Sequence, residues 1–102
     1  MLFISHINTT PPCQDALNSP ALKRLAIANP KTAPYGLAAK QALEKLQLWQ
    51  TIKLKLVMGE NIAQALQFVS TANAQAGFVA KAMLLQGTNI NLACEWPVPS
   101  EL

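Results

Sequence analysis

The stretch Leu25-Ala26-Ile27-Ala28-Asn29-Pro30-Lys31-Thr32-Ala33-Pro34-Tyr35-Gly36 decides how this chain is read. Its first four residues are an apolar run of strand length, bounded by Lys23-Arg24 before it and Asn29-Pro30 after it. A run apolar on both faces suits a central strand of a parallel sheet, covered by helices on either side. Beyond the turn, Thr32 or Ala33 can serve as N-cap, with Pro34 in the first helical turn, where its missing N–H costs nothing. From there Ala39, Ala42, Leu43, Leu46 and Trp49 or Gln50 follow i, i+3, i+4, i+7 spacing, and Lys40, Gln41, Glu44, Lys45 and Gln47 fill the other face. That spacing predicts an amphipathic helix to about Trp49, packed on a sheet.

Working outward, residues 2 to 5 read as a short strand, and residues 8 to 20 as a loop, because of their Pro, Thr and Asn content. From Ile52 to Met58 the period changes to two. Ile52, Leu54, Leu56 and Met58 fall on one face, Lys53, Lys55 and Val57 on the other, which predicts a strand near a sheet edge. Gly59-Glu60-Asn61 then opens a second helix, capped by Asn61 or Glu60 and buried along Ile62, Ala65, Leu66 and Val69. Ala76 to Ala80 is a third apolar run, followed by Lys81 to Gln86 and a turn at Gly87-Thr88-Asn89. The tail from Cys94 to Pro99 is extended by its prolines and forms one last strand. This alternation predicts an α/β fold over residues 1–102 as a single domain, with a mostly parallel sheet and flanking helices.

Composition narrows the function. The 102 residues are 51% hydrophobic and 13% charged, which allows one domain. The net charge of +3 is scattered, too thin for nucleic acid. No apolar run is long enough for a membrane span or a secretory signal, so the chain as it stands is expected in the cytoplasm. Cys13 and Cys94 are a single pair far apart, and His6 is the one histidine. That argues against zinc and leaves a disulfide open. Without paired carboxylates or an activated nucleophile, the chain does not read as an enzyme, and His6 reads as structural or solvent-exposed rather than catalytic. The high apolar content suggests that some surface faces something outside this chain.

Two helix starts, Thr32 to Gly36 and Glu60 to Ile62, directly follow strands, so both fall on one edge of the sheet, where open sheets of this kind bind ligands. Each offers free backbone N–H groups and the positive end of a helix dipole, a combination that favours an anion. Pro34 leaves the N–H groups of Tyr35 and Gly36 as donors at the first helix, and Gly36 keeps the approach open. At the second the candidates are the N–H groups of Ile62 and its neighbours, with the Asn61 side chain as cap or supporting group. Lys31 lies near enough to steer anions. The same edge occurs in every α/β domain, and most such edges bind nothing.

The block from Leu25 to Gly36, with Ala38-Ala39-Lys40-x-Ala42-Leu43 after it, resembles the periplasmic molybdate-binding proteins of ABC transporters. Three further pieces match in order: Lys55 to Val69 around Gly59-Glu60-Asn61-Ile62, then Ala76-Gly77-Phe78-Val79-Ala80, then Trp96-x-Val98-Pro99. The resemblance runs from about Leu17 to the end. It implies one lobe of a type II periplasmic binding protein, whose two lobes close on molybdate or tungstate with no charged side chain touching the ion. It also implies ligating N–H groups at Tyr35 and Ile62, a membrane permease as partner of the full-length family, and no cofactor. The tyrosine hydroxyl that some members add falls at Ala80 here. Members are more than twice this long, and their first lobe supplies Ser and Thr hydroxyls from the other side; this sequence resembles the second lobe alone. A half-site should bind more weakly, by a few charge-assisted hydrogen bonds at about 1.5 to 3 kcal/mol each. The other reading is a self-associating module without ligand, a homo-oligomer formed through Leu2, Phe3, Ile4 and Trp96 by strand exchange.

Overall fold

The computed structural model describes residues 1–7, 13–84 and 92–99. The apolar runs pair into one sheet of β1 (Leu2–Ser5), β2 (Leu25–Ala28), β3 (Leu56–Gly59), β4 (Ala76–Val79) and β5 (Cys94–Pro97), in the spatial order β3-β2-β4-β1-β5. The doubly apolar β2 runs parallel to both its neighbours, with Leu25 opposite Leu56 on one side and Ala76 on the other. β1 lies antiparallel between β4 and β5. The sheet is therefore mixed: its parallel half, β3-β2-β4, carries the helical crossovers, and its antiparallel half gathers the first and last strands.

Side chains of a strand alternate between faces, and the core divides accordingly. Phe3, Leu25, Ile27, Ala76 and Phe78 face a layer that includes Ala39 and Leu43 of α1 (Pro34–Lys45), Ile52 of α2 (Trp49–Ile52) and a 3-10 turn (Cys13–Asn18). Leu2, Ile4, Ala26 and Val79 face Ala65, Leu66 and Val69 of α3 (Ile62–Ser70). The rings of Phe3 and Phe78, directly opposed in register, stand 5.2 Å apart between centroids. Cys13 and Cys94 form a disulfide, with Cα atoms 5.8 Å apart, that ties the 3-10 turn to the start of β5.

Four expectations need correction. α1 ends at Lys45 rather than near Trp49, because Gln47 takes a left-handed conformation at φ 60° and turns the chain. Leu46, Leu48 and Trp49 nevertheless remain packed against the core from beyond the helix end. The period-two stretch is a strand only from Leu56; Ile52 closes α2, and residues 53–55 form a 3-10 turn. As a result Ile52 is fully buried while Leu54 is 87% exposed, although alternation places them on one face. β3 does lie at the sheet edge. The predicted loop over residues 8–20 contains the 3-10 turn, with Cys13, Ala16 and Leu17 buried; residues 8–12 and the Gly87-Thr88-Asn89 turn lie outside the described residues. Finally, Leu2, Phe3 and Ile4, expected near a surface, belong to an interior strand and are buried, while Trp96 is half-buried on the edge strand β5. Much of the apolar content is absorbed by a core on both faces of the sheet.

Candidate functional site

Because β2 and β3 are parallel, the turns leading into α1 and α3 leave the sheet at one edge. Asn29 joins them. Its N–H donates to the Gly59 carbonyl at 2.8 Å, its own carbonyl accepts from the N–H groups of Thr32 and Ala33, and its Oδ1 accepts from the Lys31 N–H at 2.9 Å. One residue thus shapes the first turn and ties it to the end of β3. Sequence reasoning treated Asn29-Pro30 only as a turn boundary, although an Asn that folds the following backbone onto its side chain is a known turn device.

Two glycines let the helices begin directly on the strand ends. A Cβ on Gly36 would stand 2.2 Å from the Ala28 carbonyl oxygen and 2.6 Å from the Asn29 carbonyl carbon. On Gly59 it would stand 2.8 Å from the Ala65 nitrogen. The first turns of α1 and α3 therefore sit closer to their strands than any larger residue would permit.

The free donors follow from a count of first-turn N–H groups. In α1, Pro34 has none, and Gly36 and Leu37 both donate to the Ala33 carbonyl, at 3.0 and 3.1 Å. Tyr35 is left, with its N–H unpartnered among the described residues. Gly36 is accordingly corrected: it is buried and its N–H is engaged, so it packs the helix rather than opening an approach. In α3, Asn61 is the N-cap; its Oδ1 accepts from the Gln64 N–H at 2.9 Å, while Gln64 Oε1 accepts from the Glu60 N–H. Ala65 donates to the Asn61 carbonyl, which leaves the N–H groups of Ile62 and Ala63 without partners among the described residues. Tyr35 is 40% exposed, Asn61 is exposed and Ile62 is half-buried. The arrangement offers backbone donors and two dipole ends to an anion. Ala80, just past the end of β4, is buried and brings no polar group. His6 lies elsewhere, its Nε2 2.7 Å from the Val69 carbonyl, fastening the end of β1 to α3. Among the described residues no cluster of side chains suits a metal ion, and no helix is long and apolar enough to cross a membrane.

Residues 9–100 match the family model of bacterial extracellular solute-binding proteins. The chain belongs to this family. Among curated solute-binding proteins it is 51% identical over 86 residues to the molybdate-binding protein ModA of Azotobacter vinelandii, covering 84% of this chain and 34% of that one. To ModA of Rhodobacter capsulatus it is 42% identical over 81 residues, covering 79% and 31%. The solved periplasmic molybdate-binding protein of Azotobacter vinelandii superposes with a TM-score of 0.81 at 30% identity, over 98% of this chain and 45% of that one. The chain thus spans about a third of these curated relatives' length. The structural match also reaches further toward the N-terminus than the resemblance read from Leu17 onward.

Proposed function

We propose that residues 1–102 form one α/β domain that acts as a ligand-binding lobe for a tetrahedral oxyanion, molybdate or tungstate, in a transport rather than a catalytic role. The observation that carries this is the pairing of unpartnered N–H groups, Tyr35 on α1 and Ile62 on α3, at helix starts linked by the Asn29–Gly59 hydrogen bond. Two helix dipoles of about half a charge each add to those donors. Asn61 supports the second helix start as its cap and does not ligate. Lys31, exposed beside the first turn, raises the local anion concentration without touching the ion. The names of the two ModA relatives and of the solved Azotobacter protein, each molybdate-binding, support the same assignment.

A dianion is strongly hydrated, so one lobe with an open face replaces only part of its water shell. Binding by this chain is therefore weak, below that of a two-lobed site by several kcal/mol. In the transport reading, a complementary lobe and a membrane permease complete the system. The Cys13–Cys94 disulfide favours an oxidising compartment such as the periplasm over the cytoplasm expected from the N-terminal residues. Calorimetric titration with molybdate, tungstate and sulfate tests the reading. Saturable heat from molybdate and tungstate, lost when Ile62 is replaced by proline, is expected; absence of heat at millimolar oxyanion overturns it.

A further inference from the structure

Beside the oxyanion edge, on the α1 face of the sheet, a cleft of about 270 Å³ is lined by Asn29, Pro30, Lys31, Lys40, Trp49 and Met58. It lies where the β2–α1 turn, α1 and the start of α2 overhang the edge strand β3. Its lining combines two chemistries. Pro30, the half-buried Trp49 and the 48% exposed Met58 supply apolar surface. Lys31 and Lys40 supply two ammonium groups, and no carboxylate lines the cleft. Neither lysine has an acidic partner among the described residues.

The cationic part is partly preorganised. The Lys40 ammonium stands 5.4 Å from the centroid of the Trp49 ring, which holds it at the wall of the cleft rather than in open solvent. The root of Lys31 is fixed by its backbone N–H, bonded to Asn29 Oδ1. An anion entering here loses less on ordering the protein than at free lysines. An apolar anion gains twice, by covering the Trp49, Pro30 and Met58 surface and by pairing with the ammonium groups. A bare inorganic oxyanion gains only the second. The volume lies just below that of sites for drug-sized ligands, about 300 to 1,000 Å³, and suits a molecule with one ring.

We propose that this cleft is a second binding site, separate from the Tyr35 and Ile62 donors, for a small aromatic monocarboxylate. The ring packs against Trp49 and Met58 and the carboxylate meets Lys40 and Lys31. Benzoate is the probe, benzamide the neutral isostere and acetate the charge without the ring. In nitrogen-resolved NMR spectra of the whole chain, benzoate shifts the Trp49 indole, the Asn29 side-chain amide and the Lys40 amide along one saturating curve. Benzamide and acetate produce much smaller changes. Lys40→Ala weakens benzoate about tenfold, the loss of one charge-assisted hydrogen bond, and Lys40→Arg restores most of it. Lys40 lies on the polar face of α1 and alanine favours helix, so the variant keeps the fold. Failure of benzoate to saturate at tens of millimolar, or equal shifts from benzamide, overturns the proposal. Because molybdate is titrated separately, against the Ile62 and Tyr35 amides, failure at one site leaves the other standing.

Discussion

Gly36 and Asn61 act at the two helix starts in opposite ways, one by having no side chain and one by what its side chain accepts. At Gly36 a Cβ would meet backbone, not a flexible side chain, so the first turn of α1 must move outward. Gly36→Ala is expected to destabilise the fold by about 2 to 3 kcal/mol, the scale of overpacking against a rigid neighbour. A lower urea midpoint with unchanged slope would show it. Asn61→Ala removes the cap on Gln64 and should lower stability by about 1 kcal/mol. Asn61→Asp keeps the cap and so keeps stability, but sets a carboxylate beside the Ile62 N–H. Molybdate affinity measured by calorimetry should then fall about tenfold or more, since like charges a few ångströms apart repel strongly. The free N–H groups of Tyr35 and Ile62 and the Asn61 cap could be read from the chain because proline at a helix start and Asx capping are local signals. Asn29 could not be read in full. Its bond to Gly59 joins two loops that only the parallel pairing of β2 and β3 brings together.

The element boundaries show where a periodic pattern misleads. Ala39, Ala42 and Leu43 are buried in α1 as their spacing requires, yet the helix stops a turn early. Its end is closed by Gln47 donating to the Glu44 carbonyl and Leu48 donating to the Leu43 carbonyl, the paired bonds of a Schellman motif. That motif wants glycine at the left-handed position. Here glutamine holds it at φ 60°, so no glycine marks the stop and the apolar spacing carries the reading on to Trp49. Gln47→Gly should therefore stabilise the domain by about 1 kcal/mol, the penalty of a left-handed non-glycine residue. Thermal unfolding would show a higher midpoint with the same fold. The stretch from Ile52 to Met58 failed for a related reason. Alternation over Ile52, Leu54, Leu56 and Met58 mimics a strand, but Ile52 is fully buried in the layer of α1 as the last residue of α2, and the following 3-10 turn points Leu54 outward. Tertiary packing overrides a period of two sustained over so few residues. The apolar runs of β2 and β4, which no alternative element could bury so well, were legible at their correct positions.

At the scale of the whole molecule, β1 and β5 lie side by side, and the disulfide, across a sequence separation of 81 residues, ties the 3-10 turn to the start of β5. β5 reaches the core through the half-buried Cys94, Trp96 and, just beyond it, Val98, and covers β1, whose Phe3 lies at the centre of one layer. A cross-link closing a loop of this length is worth about 4 to 5 kcal/mol on the chain-entropy model. Small domains are stable by only about 5 to 15 kcal/mol. Reduction, or Cys13→Ser with Cys94→Ser, should therefore remove a large fraction of the stability. Urea unfolding with and without dithiothreitol measures this directly, and a midpoint indifferent to reductant would mean that β5 is held by strand pairing alone. Reduction should spare the proposed oxyanion edge until the domain unfolds as a whole. Tyr35, Ile62, Asn29 and Gly59 belong to the parallel half of the sheet, which the disulfide does not touch. Molybdate binding per folded molecule should thus be the same in both redox states, while the folded fraction at 37 °C falls in the reduced one. The proposed binding edge and the covalent clamp thus lie at opposite sides of the sheet, so an oxidising surrounding is expected to set the lifetime of the fold and leave affinity per folded molecule unchanged.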